Sequence, residues 1–311
     1  MDVLFIVLGL VLLIVGGNWL LKSAVGFSLR LNIPKIVIGM TVVSFATSAP
    51  ELIVSLKSAL YGKADLALGN VIGSNIANLG LVLGVTICLG TISIQKSFYK
   101  VDWPVLMLAS LTLYLFIGFD GVIQTYEGAI LFTMLIVFLV YILRFQKVAV
   151  VDELPEDDEE LPLYKNVLFL TIGSVALWGG SELLIMGAVD LAGAFGVSER
   201  IIGITIVSIG TSIPELAASV IAVLKKEKAI SLGNLIGSNV FNILAVLGLT
   251  AIVTPIQAQD EGLLTSDIIW MLVLAFLIFP LVFGLKRMKL SYVEGIFLLL
   301  FYGVFMFTTI L

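Results

Sequence analysis

Apolar runs about the length of a bilayer span recur along the whole chain, separated by short clusters of charged and turn-forming residues. A spanning helix needs ~20 mostly apolar residues. Ten runs approach that length: roughly 3–27, 36–60, 64–90, 103–119, 126–146, 166–190, 200–224, 229–254, 265–285 and 291–310. The first opens Met1-Asp2, with no basic stretch before it and no small-residue cleavage site after it, so it reads as a span rather than a signal peptide. Composition agrees with this pattern. Of 311 residues 60% are apolar and only 13% charged, whereas a soluble domain has about a quarter charged. The chain therefore reads as an all-α polytopic membrane protein with short loops.

The charges set an orientation. With ten spans, both termini share a side with the loops after spans 2, 4, 6 and 8, and that side carries Lys57, Lys63 and Arg200, 3 of the 17 Lys and Arg. The other 14 lie opposite, a bias that places the opposite side in the cytoplasm. The loop after span 5 is then cytoplasmic. Its acidic run, 152–160, reads as a solvated linker, because it lacks the spacing and central glycine of an EF-hand.

The chain also repeats itself. Gly-Met-Thr-Val-Val-Ser-Phe-Ala-Thr-Ser-Ala-Pro-Glu at 39–51 returns as Gly-Ile-Thr-Ile-Val-Ser-Ile-Gly-Thr-Ser-Ile-Pro-Glu at 203–215, an offset of 164. At the same offset Gly-Asn-Val-Ile-Gly-Ser-Asn-Ile-Ala-Asn, 69–78, matches Gly-Asn-Leu-Ile-Gly-Ser-Asn-Val-Phe-Asn, 233–242. Weaker matches flank these: Gly16-Gly17 with Gly179-Gly180, and Glu127-Gly128 with Glu294-Gly295. Five spans per copy put the second copy into the membrane upside down. Inverted repeats build secondary transporters with a midplane site. The predicted fold is ten transmembrane helices as two inverted five-helix repeats: 1–147 (motif region 39–84), an acidic linker at 148–165, and 166–311 (motif region 203–248).

The repeated motifs concentrate oxygen in the spans. On a continuous helix Thr47, Ser48 and Glu51 share a face, with Ser44 and Ser55 extending it, and Pro50 frees the carbonyl of Ala46. Ser208, Thr211, Ser212, Pro214, Glu215 and Ser219 repeat this set, with Gly210 as the carbonyl donor. A charge at the bilayer centre costs at least ~2.5–3.5 kcal/mol, so two matched glutamates point to function. Carboxylates, hydroxyls and loosened carbonyls suit hard cations. In the second motif the GxxxG-spaced glycines Gly69 and Gly73, like Gly233 and Gly237, read as close helix packing. Asn70, Ser74, Asn75 and Asn78, repeated as Asn234, Ser238, Asn239 and Asn242, are expected to complete the shell opposite the glutamates.

These motif pairs resemble the repeats of the calcium/cation antiporter superfamily, in particular the prokaryotic sodium/calcium exchangers, and the likeness covers the whole chain. The resemblance implies that Glu51 and Glu215 are the central carboxylates shared by Ca²⁺ and Na⁺. Thr47, Ser48, Thr211 and Ser212 would supply hydroxyl and backbone oxygens. Ser74, Ser238, Asn78 and Asn242 would close the shell, and Ser44 and Ser208 would give main-chain carbonyls to flanking sodium sites. Spans 1 and 6 would slide across the rest to alternate access, helped by contacts of Gly16-Gly17 and Gly179-Gly180. Where potassium-dependent relatives carry aspartate, this chain has Asn242, which argues against potassium co-transport. Thr-Ser-x-Pro-Glu in place of the Gly-Asn-x-x-Glu of proton-coupled relatives favours sodium.

The expected function is Na⁺/Ca²⁺ antiport in a prokaryotic inner membrane, with both termini non-cytoplasmic. The alternative is an antiporter of the same fold coupled to H⁺ or moving another divalent ion. A channel fits less well, because channels more often use rings of identical subunits. An enzyme is not expected: the chain has no histidine, its single cysteine, Cys88, lies in an apolar run, and no nucleophile is set beside a base. Inorganic cations and the bilayer are the expected partners, with no cofactor, nucleic acid or obligate protein partner. Glu182, Asp190 and Asp65 read as solvated positions, and Trp19, Trp103, Trp178 and Trp270 mostly as interfacial aromatics. A topology reporter after Leu311 should read as non-cytoplasmic and one within 152–160 as cytoplasmic; the reverse pattern would break the span count.

Overall fold

The computed structural model describes residues 2–145, 161–194, 208–284 and 288–310. The acidic run, Arg200, residues 203–207 at the start of the second Thr-Ser-x-Pro-Glu copy and the side chains of Asp190 and Ser208 lie outside the described residues. The helices are α1 (Asp2–Leu31), α2 in two pieces (Lys35–Thr47 and Ala49–Leu60), α3 (Ala64–Leu89), α4 (Phe98–Asp120) and α5 (Thr125–Phe145). After the linker come α6 (Leu163–Ala194), α7 in two pieces (Ser208–Gly210 and Ile213–Leu224), α8 (Lys228–Val253), α9 (Leu263–Phe283) and α10 (Tyr292–Ile310). Among the described residues eight helices are long and apolar enough to cross a bilayer, and the bent α2 pair makes nine.

The two helices that carry the Gly-Asn motif form the core. In α3 and α8, 78% and 83% of the most apolar window is buried, against 28–39% in the other unbroken spans. This explains how α3 and α8 can hold so many amides and hydroxyls: the polar groups face protein, not lipid. Glycines let the surrounding helices approach backbone to backbone. A Cβ on Gly9 would fall 2.7 Å from the carbonyl oxygen of Gly180, and one on Gly16 2.9 Å from that of Gly173, which clamps α1 against α6. Gly39 meets Gly233 between α2 and α8, Gly128 meets Gly248 between α5 and α8, and Gly84 meets Gly295 between α3 and α10.

These contacts refine the sequence expectations. Gly16 and Gly180 do lie in the α1–α6 crossing, but each pairs with a glycine the motif match did not single out, Gly173 and Gly9; Gly17 instead faces Ile221 of α7. Gly233 and Gly237 pack as expected, against α2, whereas Gly69 touches only Leu263 among the described residues and Gly73 nothing within 4 Å. The partner of Gly233 is Gly39, and the positions matching 39–43 are 203–207, which are outside the described residues. The tryptophans depart further: Trp103 donates to the carbonyl of Ala275 at 2.9 Å and lies against Phe279, while Trp270 lies against Phe301. Both wedge neighbouring helices together.

Two short antiparallel strand pairs cross between the halves. β1 (Ile92–Ser93) pairs with β4 (Lys289–Leu290), and β2 (Val122–Ile123) with β3 (Ile256–Gln257). By the repeat, β1 corresponds to β3 and β2 to β4, so each half lends its strands to the other. Polar ties sort the loops in the same way. At one end the Lys35 ammonium pairs with Glu227 at 2.8 Å and Lys228 donates to the Thr91 carbonyl at 2.7 Å, joining the loops after α1, α3 and α7. At the other, Asp65 Oδ1 accepts from the backbone of Gln259 at 2.7 Å, joining the loops after α2 and α8. Glu182 is exposed, as expected, whereas Asp65 is a loop tie.

The helix crossings depend on bare backbone. A Cβ on Gly233 would stand 3.0 Å from the Met40 nitrogen and 3.1 Å from the Gly39 Cα, neither of which can swing away. Overpacking of this kind costs about 1–3 kcal/mol. Gly233→Val should lower the melting temperature of detergent-purified protein by several degrees or abolish monodisperse elution. Gly303→Ala, with nothing within 4 Å of the added methyl, should leave both unchanged.

Candidate cation site

The site grows from two helix breaks. At Ser48 the backbone leaves the helix (φ −87°, ψ 1°), and the two pieces of α2 meet at 45°. Ser212 does the same in α7 (φ −91°, ψ 3°). Pro50 and Pro214 therefore sit in the first turn of a new helix, where their missing N–H would be unsatisfied anyway. Thr47 and Glu51 thus belong to different helical pieces, not to the one face that a continuous helix would give. Glu51 and Glu215 both fall in the first turn of the new pieces, at the positive end of the helix dipole.

The two carboxylates lie within electrostatic reach of each other. Both side chains are fully buried. Thr47 and Ser48 face Glu215 without reaching full hydrogen-bond geometry. Around them the two copies interlock: Thr47 Oγ1 lies 3.3 Å from Ser238 Oγ, and Ser74 Oγ lies 3.3 Å from Thr211 Oγ1. Each contact joins the Thr-Ser motif of one copy to the Gly-Asn motif of the other. Asn78 and Asn242 follow one turn beyond Ser74 and Ser238, and each opens a π-helical stretch, Asn78–Val82 and Asn242–Leu247. Such stretches concentrate at functional sites.

Some motif polar groups are satisfied within the protein and others, Asn239 Oδ1 among them, are not. Asn70 donates through Nδ2 to Ser55 Oγ at 2.9 Å and Asn234 to Ser219 Oγ at 3.0 Å, so the NH2 ends of these amides lace helices together, and Asn234 Oδ1 accepts from Thr47 Oγ1 at 3.2 Å. Ser55 and Ser219 are accordingly packing residues. Ser44 Oγ lies 2.8 Å from the Gly39 carbonyl and 3.0 Å from that of Asn234, and its own carbonyl accepts the Ser48 N–H at 2.9 Å. Ser208 opens the short piece Ser208–Gly210. In contrast, both oxygens of Glu51 and of Glu215, the hydroxyls of Ser48 and Ser212, the Asn78 amide and Asn242 Oδ1 are buried and have no hydrogen-bond partner. Leaving one buried polar group unmade costs ~1–3 kcal/mol. Four carboxylate, two hydroxyl and two amide oxygens together meet the 6–8 oxygen ligands that Ca²⁺ takes. The residues present fit a hard cation.

Two residues make contacts that the motifs alone did not indicate. Asn75 bridges the core helices, accepting from Asn242 Nδ2 at 3.1 Å and donating to the Asn239 carbonyl at 3.3 Å. It orients Asn242 so that Oδ1 stays unpartnered, and its place in the motif was the available signal. Ser181 of α6 donates to the Gly210 carbonyl at 2.8 Å, the carbonyl that Pro214 frees. No motif marks it, and by the Gly-Gly match Asn18 stands at the corresponding position of the first copy.

Paired buried carboxylates, ringed by oxygens at broken helices inside an apolar bundle, define an integral membrane protein that handles cations. Comparison with known proteins narrows the class. The sodium/calcium exchanger protein family matches residues 1–144 and 165–311. CaxA of Alkalimonas amylolytica, named as a candidate antiporter, is 41% identical over 305 residues, covering 96% of this chain and 95% of its own. The sodium/calcium exchanger MaX1 of Methanosarcina acetivorans is 27% identical, covering 98% and 97%. A solved structure of the sodium–calcium exchanger NCX_Mj, 28% identical, superposes with a TM-score of 0.83 over 97% of both chains. The chain belongs to the sodium/calcium exchanger family, a family of membrane cation antiporters.

The division between laced and free polar groups predicts opposite mutational signatures. Ser219→Ala strands the buried Asn234 amide, so it should cost ~1–3 kcal/mol and lower the melting temperature by a few degrees in ion-free buffer. Ser48→Ala removes a hydroxyl with no protein partner. It should leave that melting temperature unchanged and shrink the thermal stabilisation that added Ca²⁺ gives.

Proposed function

We propose that this protein exchanges Na⁺ for Ca²⁺ across a prokaryotic inner membrane by alternating access at the buried site. The observation that carries the proposal is the set of unpartnered oxygens that Glu51, Glu215 and their duplicated motifs leave buried. Two carboxylates neutralise one Ca²⁺, and the same oxygens recoordinate Na⁺ when Ca²⁺ leaves. Glu51, Glu215, Ser48, Ser212, Asn78 and Asn242 are the ligands with oxygens to offer; Thr47, Thr211, Ser74 and Ser238 form the hydroxyl pairs beside them, and Ser44 and Ser208 flank them with main-chain carbonyls. Asn242 keeps the carboxylate count at two, which suits Na⁺ coupling without K⁺.

The architecture of the proposal is ten spans in two inverted five-helix repeats, 1–147 and 166–311, joined by the linker at 148–165. Loop ties that sort by parity and strands exchanged between halves support it. The end joined by Lys35, Glu227 and Lys228 is the cytoplasmic one, since the basic residues collect there, and both termini lie outside. The glycine-faced pair α1 and α6 is the element that slides. MaX1 and NCX_Mj are both named as sodium–calcium exchangers, and an Escherichia coli relative, YrbG, 34% identical over 258 residues, is named as an inner membrane protein.

Glu51→Gln keeps size and hydrogen-bonding capacity but leaves a bound Ca²⁺ with an uncompensated charge. At several kcal/mol per unpaired buried charge and a tenfold change per 1.4 kcal/mol, sodium-gradient-driven ⁴⁵Ca uptake into proteoliposomes should fall by orders of magnitude. Glu215→Gln should match it, and Asn242→Ala should be milder. Uptake that follows a pH gradient instead would assign proton coupling, and near wild-type exchange by either glutamine variant would remove the two-carboxylate site.

A further inference from the structure

The two halves differ in one respect that the ion site does not explain. Between α9 and α10 the crevice is filled by rings: Trp270 lies 5.0 Å from Phe301 and 5.9 Å from Phe305. The π-helical turns at Phe98–Asp102 and Leu263–Asp267 align α4 with α9, and the Glu-Gly pairs at 127–128 and 294–295 align α5 with α10. By that alignment Val105, Met134 and Phe138 occupy the positions of Trp270, Phe301 and Phe305. With two of the three rings gone, the α4–α5 crevice is open. It forms a groove of about 600 Å³ on which Val105, Met134 and Phe138 all border, a size within the ~300–1,000 Å³ of small-molecule sites.

Its lining is apolar along most of its length and changes character at one end. Leu108 and Val137 form walls that are 56% and 62% exposed on the flank of the bundle. Leu244 of α8 forms the floor, two residues after Asn242 in the same π-helical stretch. Lys100, at the start of α4, and Tyr141, near the end of α5, stand together at one mouth. That mouth adjoins the end of the bundle where β1 pairs with β4 and where the basic residues collect. Thr265 replaces Lys100 at the matching position of the filled crevice.

The geometry points to a structural lipid site: an acyl chain of one anionic phospholipid lies in the α4–α5 groove, with its phosphate at Lys100. The apolar walls on the bilayer-facing flank take the tail, and the single ammonium at the mouth takes the headgroup charge. The tail rests on Leu244 and so backs the π-helical stretch that presents Asn242. This assignment is independent of which cations the protein moves.

Native mass spectrometry of the detergent-purified full chain with added phosphatidylglycerol or phosphatidylcholine tests it. The wild-type chain should retain one phosphatidylglycerol in preference to phosphatidylcholine. Lys100→Gln should cut that preference about five-fold, the effect of ~1 kcal/mol per basic side chain at an anionic headgroup. Val105→Trp with Met134→Phe, which copies the rings of the second half, should abolish retention while the protein still elutes monodisperse. If that pair misfolds, Leu108→Trp, on the exposed wall, should block the groove without entering the core. Equal retention by wild-type and plugged chains, equal retention of both lipids by the wild-type chain, or displacement of the lipid by sn-glycerol phosphate alone would each overturn the assignment.

Discussion

Moving an ionised carboxylate out of water costs several kcal/mol even after the surroundings relax, and Glu51 and Glu215 are buried completely and within electrostatic reach of each other. Much of the surrounding structure answers that cost. Each glutamate sits at the N-terminal end of a fresh helical piece, where the dipole offsets part of its charge. The most buried spans, α3 and α8, carry the amides and hydroxyls that a lipid-facing helix could not hold. Glycine crossings then bring α2 close enough to α8 for Thr47 to reach Ser238. Remove the close approach and the oxygens no longer converge; remove the carboxylates and the polar core loses its purpose.

The interlocked contacts give the site a useful division of labour. The NH2 ends of Asn70 and Asn234 are taken up by Ser55 and Ser219, and this holds the walls. The atoms left over are acceptors and hydroxyls in the proportion a hard cation wants. Under the proposed exchange, rigid walls around an adaptable ligand set would let one cavity serve a divalent ion and then monovalent ones, since the carboxylates need not be reorganised by unfolding their supports.

Much of this was legible in the sequence because it rests on local rules. Apolar run length matched the eight unbroken spans and the broken α2 found among the described residues, and the duplicated motifs pointed to both buried glutamates and to hydroxyls and amides that the fold leaves unpartnered. What escaped depends on three-dimensional pairing. Gly9 and Gly173 sit in no motif, yet they complete the α1–α6 crossing. The helical-face argument placed Thr47 and Glu51 on one face, but the Pro-Glu sequence starts a new helix and turns the two apart. Asn70 and Asn78 look alike in a sequence; only the position of Ser55 gives the first amide's Nδ2 a partner and leaves both ends of the second without one.

The exchanged strands have a consequence for how the chain comes into being. β1 finds its partner almost two hundred residues later, at Ile92 opposite Leu290, and β2 waits for β3. A first half emerging from the ribosome therefore carries open backbone edges and a carboxylate without its counterpart until the second half arrives. Pairings this distant in sequence are slow to close. The nascent protein must pass through a bilayer-held state with its polar centre half built, so biogenesis, more than the finished fold, is where this duplicated design is most exposed to failure.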